Sequence, residues 1–340
     1  QIRMPQQRDV AKLKAEFLQH YYDANGAPLR AKLIANITSV NRLGSSFPAF
    51  TNLMMNNPLS QKLIMPLLGF APKRRLPSLY KTTLDKWFKK NKPAPTNGRK
   101  VYLFNDEFTR FNDTQIGIYA ILLLTKLGYE VVLPKHIESG RTFMSKGFLR
   151  KAQKIANENV IQLAPLISEE NPLIGIEPSA ILCFRDEYPE LVEADLRPAA
   201  DKLSKNCFTI EEFLNSEFEK GRISSDLFTE EKREILYHGH CQQKSIASTR
   251  DALGLLNIPK NYTATEIKAG CCGMAGSFGY EKEHYDVSMK VGELVLFPTI
   301  RKAPESIVLT ASGTSCRHQI HDGTGKDAVH PVEVLYQALK

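Results

Sequence analysis

Residues 235–244 read Ile235-Leu236-Tyr237-His238-Gly239-His240-Cys241-Gln242-Gln243-Lys244, a short apolar run that breaks into a polar loop around a cysteine. A brief apolar run closed by a glycine is the pattern of a buried strand. Outward from it come a helical stretch, a second strand at Thr263 to Ile267, and the turn Cys271-Cys272-Gly273. A long helix over Glu281 to Phe297 and a third strand in Val308 to Cys316 are expected next. The same order recurs upstream. Val101 to Phe104 is a strand, Glu130 to Leu133 a second, Glu138-Ser139-Gly140 a turn, Lys146 to Asn157 a helix, and Ile174 to Ala180 a third strand. Such self-similarity marks two copies of one unit. Strands alternating with helices predict an α/β fold with largely parallel sheets.

The spacings support the pairing. Cys241 to Cys271 and Phe108 to Glu138 are each 30 positions apart, and Ala180 falls where Cys316 does. Ligands of parallel α/β sheets collect at the carboxyl ends of strands. Each of Cys241, Cys271, Cys272 and Cys316 follows a predicted strand, so the four are expected to meet at one sheet edge. Thiolates at such a site favour zinc, copper(I) or iron–sulfur clusters. Adjacent cysteines make a strained disulfide but can serve different atoms of a cluster. Gly270 and Gly273 flank the pair and are expected to let the chain turn tightly. The helix after them is expected to aim its positive end at the thiolates. Cys183 and Cys207 read as small buried hydrophobes. His240 and His318 adjoin the cysteines and, with Arg317, are candidates to support or extend the donor set.

The 340 residues hold 42% hydrophobic and 24% charged residues, an ordinary globular balance. Six cysteines are too few for a secreted disulfide scaffold. That favours a reduced, cytoplasmic setting, with contact at the inner membrane face left open. The longest apolar stretch, Leu63 to Phe70, is interrupted by Pro66 and is far short of a membrane span. No basic-then-apolar leader opens the sequence, and Gln1 in place of methionine suggests a fragment or processed product.

Charge divides the chain. Residues 1–100 carry a balance of +14 and the rest −6, for a net +8. The segment Asn91 to Gly98, rich in Pro and Asn, supports a boundary there. The expected organisation is a basic helical extension over 1–100, a first repeat over 101–230 and a second over 231–340. Asp9 is expected to cap a helix whose apolar stripe is Val10, Leu13, Phe17 and Tyr21. Helices are also read over Leu29 to Leu43 and Leu59 to Leu68. The extension is expected to pack through its apolar face. No nucleic-acid module accompanies the basic runs, so nucleic acid is not an expected partner. Gly273 to Gly279 lacks the ending of a phosphate-binding loop and reads as a turn shaping the cysteine site. Glu177, Asp186 and Glu187 read as salt-bridged structural carboxylates.

Tyr237 to Lys244, Gly270 to Tyr280 (GCCGMAGSFGY) and Gly313 to Ile320 (GTSCRHQI) resemble the cysteine-rich CCG domain of heterodisulfide reductase B and D subunits and glycolate oxidase iron–sulfur subunits. Glu281 to Tyr285, Leu296-Phe297-Pro298, His330 to Leu335 and Phe184 to Pro189 resemble most the iron–sulfur portion of large FAD-linked oxidases. The likeness is specific over 235–340, fair over 101–190, and only a helical linker over 1–100.

The resemblance implies two Rossmann-like CCG units and a [4Fe-4S] cluster, or in some copies zinc, held by Cys241, Cys271, Cys272 and Cys316. It also implies a flavin-containing dehydrogenase domain and a ferredoxin-like iron–sulfur domain as partners, with FAD in a region outside this sequence. The sequence departs from the family where Cys316 is followed by Arg317, His318 and Gln319 rather than by a second cysteine. The first repeat has Glu138-Ser139 and Ala180 where cysteines are expected. No ferredoxin-type cysteine run is present.

The leading expectation is an electron-transfer portion of an enzyme oxidising a 2-hydroxy acid such as lactate or glycolate. A zinc-stabilised interaction module is the alternative. A thiol enzyme using Cys271 or Cys272 is a third reading.

Overall fold

The computed structural model describes residues 10–93 and 98–340. Two parallel sheets form the frame. The first has the order β2-β1-β3-β4, with β1 at Lys100–Phe104, β2 at Glu130–Val132, β3 at Leu173–Gly175 and β4 at Cys207–Thr209. The second has the order β6-β5-β7, with β5 at Arg233–His238, β6 at Tyr262–Glu266 and β7 at Val308–Ala311. Every strand pair is parallel, as the alternation of strand and helix predicts.

The register makes the repeat explicit. Phe104 and His238 end the central strands, opposite Gly175 and Ala311. Two residues later Asp106 and His240 each cap a helix. This alignment sets Glu107 against Cys241, Ser139 against Cys272, and Ala180 against Cys316. It corrects the sequence pairing of Phe108 with Cys241 by one position, because spacing alone cannot place a helix start. β4 was not foreseen, since its apolar run is only Cys207-Phe208 before the polar Thr209. Its counterpart is a single parallel bridge from Thr310 to Val329. Thr209 and His330 then open matching capping boxes, closed by Glu212 and Glu333.

The third strands are shorter than expected. β7 stops at Ala311, and Cys316 stands in the first turn of the helix Thr314–Thr324. Likewise a helix begins at Pro178 after β3. The single helix expected over 281–297 is two, Tyr285–Leu294 and Leu296–Lys302. Pro298 explains the break, because its ring crowds the carbonyl of Leu294 four residues back. The helix expected from Leu29 is likewise two, Leu29–Ala35 and Ile37–Gly44.

The repeats exchange helices. Ile210–Glu219, from the first, packs on Arg250–Leu256 of the second, and Pro331–Ala338, from the second, packs on Thr114–Lys126 of the first. One apolar core therefore runs through both, including Leu124, Leu214, Tyr237, Leu255 and Leu335.

The extension is helical, as expected, but its first helix, Val10–Asn25, does not dock by its apolar stripe. Val10, Leu13, Phe17 and Tyr21 face outward, and Ala15 is the buried residue. Leu18 lies against Gly147, and Lys12 pairs with Asp186 and Glu190. The Asp9 cap lies outside the described residues. No helix among the described residues is long and apolar enough to cross a membrane.

At the seam between repeats Glu211 is fully buried. Its Oε1 accepts from Ser312 Oγ at 2.5 Å, and the ring of His330 stands 3.7 Å away. Burial pushes its carboxyl up to about 7 from 4.5. The fold thus favours the protonated form, so this stability is complete below pH 4.5 and is lost as pH rises through 7. Glu211→Gln should abolish that slope. Urea midpoints of the two proteins should diverge by roughly 3 kcal/mol of unfolding free energy between pH 4.5 and 8, and parallel pH profiles would refute it.

Candidate metal centre

Because the strands are parallel, the loops after β5, β6 and β7 leave one edge together. They carry Cys241, Cys271 with Cys272, and Cys316 respectively. Cys241 is exposed, Cys271 half-buried, and Cys272 and Cys316 buried, so the thiols form a file from the surface inward.

Neighbouring sulfurs interact along this file. Contact between Cys241 and Cys271 drives the Cys241 thiol up and the Cys271 thiol down. Contact with Cys271 and Cys316 pushes Cys272 up, and contact with Cys272 takes Cys316 well below the ordinary thiol range. Adjacent thiolates repel one another, so neighbouring sulfurs shift in opposite directions. All four ionise together only beside a cation, so the set suits a metal or a cluster.

The surroundings supply compensating dipoles. Gly273 N–H points to Cys271 Sγ at 3.3 Å and Met274 N–H to Cys272 Sγ at 3.5 Å. Cys241 is the first residue of the helix Cys241–Ile246, and Cys316 is the third of Thr314–Thr324. These two helices bring their positive ends to the site. The helix after the cysteine pair starts only at Tyr285, and its Ser288 lies against Gly273.

The cysteine loop is clamped on both sides. Lys244 Nζ donates to Ala269 O at 2.6 Å and to Gly270 O at 3.3 Å. Gln319 Nε2 donates to Cys272 O at 2.9 Å, and Gln319 Oε1 accepts from the fully buried Arg74 at 2.5 Å. Of the two glycines, only Gly273 is demanded by its place. Its φ is +98°, and a Cβ would sit 2.2 Å from Ser288 O. Gly270 has no positive φ and open space where a Cβ would go.

The other sequence candidates lie around the thiols. His240 caps its helix through Nδ1, accepting from Gln242 N–H at 3.2 Å, and its Nε2 lies 3.9 Å from the buried Glu177. Glu177 accepts from Thr314 N–H at 2.8 Å, so a first-repeat carboxylate caps the helix that bears Cys316. Arg317 turns away from the sulfurs. It binds Asp113 at 2.5 Å and the carbonyls of Ala311 and Ser312. His318 pairs with Tyr280 OH at 2.9 Å, and burial lowers its pKa. Neither Arg317 nor His318 is brought among the thiols. Cys183 and Cys207 are buried and donate to Ser179 O and Leu203 O.

In the sequence His238 stands among the histidines near the cysteines and reads, taken singly, as a hydrogen-bonded structural group. Its ring meets Cys272 and Cys316, with one ligand atom of each lying within 4.8 Å of the others. A lone histidine in a strand carries no special signal; its place as the last residue of the central strand is the clue available. A second group, Glu281, Glu283 and His284, is already engaged by Arg30 and Lys146.

No model of a known protein family matches the chain, and no solved structure matches it. Curated relatives do. The chain is 28% identical to D-2-hydroxyglutarate dehydrogenase of Escherichia coli (strain K12), over 98% of this chain and 32% of that protein. The protein of the same name from Pantoea ananatis is 26% identical, over 97% and 32%. One subunit of the anaerobic glycerol-3-phosphate dehydrogenase of Escherichia coli (strain K12) is 26% identical, over 94% of this chain and 79% of that polypeptide. The chain thus spans about a third of the length of these D-2-hydroxyglutarate dehydrogenases and most of the glycerol-3-phosphate dehydrogenase polypeptide.

Gly273→Ala should lower the unfolding free energy by about 2 kcal/mol and speed thiol labelling of Cys272. Gly270→Ala should stay within ~0.5 kcal/mol of the parent. Denaturant titration and timed alkylation check both, and equal effects at the two positions would be inconsistent with this geometry.

Proposed function

We propose that this chain is the iron–sulfur electron-transfer portion of an FAD-linked oxidoreductase acting on a small 2-hydroxy acid. The observation that carries the reading is the convergence of Cys241, Cys271, Cys272 and Cys316 on one edge of a parallel sheet. The names of the relatives support the oxidoreductase class, and the span of about a third of the longer ones supports a partner region bearing the flavin. The resemblance to CCG domains belongs to the same proposal.

The residues fit the group. Four thiols that cannot ionise together without a cation face backbone N–H groups and two helix N-termini. A cluster bound there supplies one-electron carriage between flavin and an acceptor. Cys272 and Cys316 would hold it from the buried side and Cys241 from the exposed side. The N–H groups of Gly273 and Met274 offset sulfur charge and so favour the reduced state. His240 and Glu177 orient the two helices that present Cys241 and Cys316. Gln319 and Lys244 fix the loop between them. Arg317 braces the end of β7.

The first repeat keeps the frame without the donors. Glu107 accepts from Ser139 N–H at 3.1 Å and from its hydroxyl at 2.7 Å, so the two residues opposite Cys241 and Cys272 satisfy each other. Ala180, opposite Cys316, offers no donor. This repeat serves as a structural half. The zinc-binding module remains the second reading, favoured by the tetrahedral capacity of the same four thiols.

Metal analysis and visible absorption of chain purified without oxygen test this. A brown protein with about four irons per chain, both lost in Cys272→Ser, is the expected result. A colourless protein with one zinc would transfer the assignment to the zinc module. A folded chain with neither metal would refute both.

A further inference from the structure

We propose that His238 is itself a metal ligand, standing with Cys272 and Cys316 at the buried end of the site. This rests on the assignment of the site as a metal centre and names a ligand that the sequence motif does not supply.

Three observations carry it. First, His238 has no exposed surface, its ring nitrogens meet no oxygen or nitrogen partner, and the polar group it faces is the Cys316 sulfur. Buried polar groups are almost always satisfied, and one left without a partner points to an absent ion or water. Second, its ligand atom and the sulfurs of Cys272 and Cys316 lie within 4.8 Å of one another. Metal–nitrogen bonds of roughly 2.0 Å and metal–sulfur bonds of roughly 2.3 Å bridge such a set from one centre. Third, the repeats provide an internal control. The residue opposite His238 is Phe104, and the repeat with Phe104 also has Glu107, Ser139 and Ala180 in place of the cysteines. The histidine is missing where the thiols are missing.

The other place for a further donor is taken. Gln319 lies three residues after Cys316, and its amide is held by Arg74, Cys272 O and Ser288 O. His240 already caps a helix and leans toward Glu177. His238 engages only the sulfurs of the site.

The test uses the chain purified without oxygen, alongside His238→Leu and His238→Cys. If zinc is bound, X-ray absorption at its edge should show one nitrogen at about 2.0 Å beside the sulfurs. If iron is bound, pulsed EPR of the reduced chain should show coupling to a directly bound nitrogen that changes with 15N-histidine labelling. His238→Leu should lose that nitrogen and, against a chelator, retain metal at least about tenfold more weakly. His238→Cys should keep the metal with sulfur alone. A metal-loaded parent with no nitrogen signal overturns the ligand and leaves the metal centre standing, as does a signal that survives in His238→Leu. A parent with no metal overturns the metal centre and this inference with it. Should His238→Leu not fold, the parent spectra decide alone.

Discussion

Arg74 is a guanidinium with essentially no contact with water, lodged between the helical extension and the second repeat. It reaches Gly279 O at 2.9 Å, Asp322 at 2.6 Å, Ser288 Oγ at 3.0 Å and Gln319 Oε1 at 2.5 Å. A buried charge is tolerable only when its donors are matched and its charge is met. Here that requirement holds the loop after the cysteine pair, the helix Tyr285–Leu294 and the helix Thr314–Thr324 in one arrangement. Through Gln319 the constraint arrives at the carbonyl of Cys272. The extension is therefore part of the scaffold for the thiols, and its basic character has at least this internal use. Arg30 repeats the theme nearby by engaging Glu281 and Glu283, while Lys146 of the first repeat meets Glu281 from the other side.

The two repeats divide their labour. The second gathers donors at its strand ends, and the first gives up donors for hydrogen bonds that close on themselves. Yet the first still reaches into the loaded half. Glu177 caps the helix bearing Cys316, and Asp113 takes Arg317 and the hydroxyl of Thr314. A repeat that lacks the thiols of the site is thus held by what it does for its neighbour's helix N-terminus, where a fixed carboxylate orients the first turn.

Much of this arrangement could be read from the sequence, and the residues explain which parts could not. Short apolar runs alternating with helical patterns disclosed parallel sheets, and parallel sheets bring the residues after their strands to one edge, so the meeting of the four cysteines followed. The strand Cys207–Thr209, with only two apolar residues in a row, did not register. The break at Val295 needed attention to Pro298, which a helical pattern over 281–297 overrode. The roles of Arg74 and Gln319 depend on contacts across more than two hundred residues, which no local pattern encodes. His238 looked like any strand histidine until its neighbours were known. Gly270 and Gly273 looked alike, and only the backbone at Gly273 distinguished them. The apolar stripe of the first helix gave its type correctly and its docking face wrongly, because Ala15 and Leu18 approach a glycine at 147 more closely than the larger side chains could.

The crossed packing of the helices Ile210–Glu219 and Pro331–Ala338 has a consequence for how the molecule comes apart. Each closes the core of the opposite repeat, so removing either half leaves the other with a bare apolar trough. Neither can be trimmed away to leave a minimal carrier, and heat or denaturant finds no half-molecule to leave standing. Melting should be a single concerted event despite two separate sheets, and a newly made chain must finish its last helix before its first sheet is sealed.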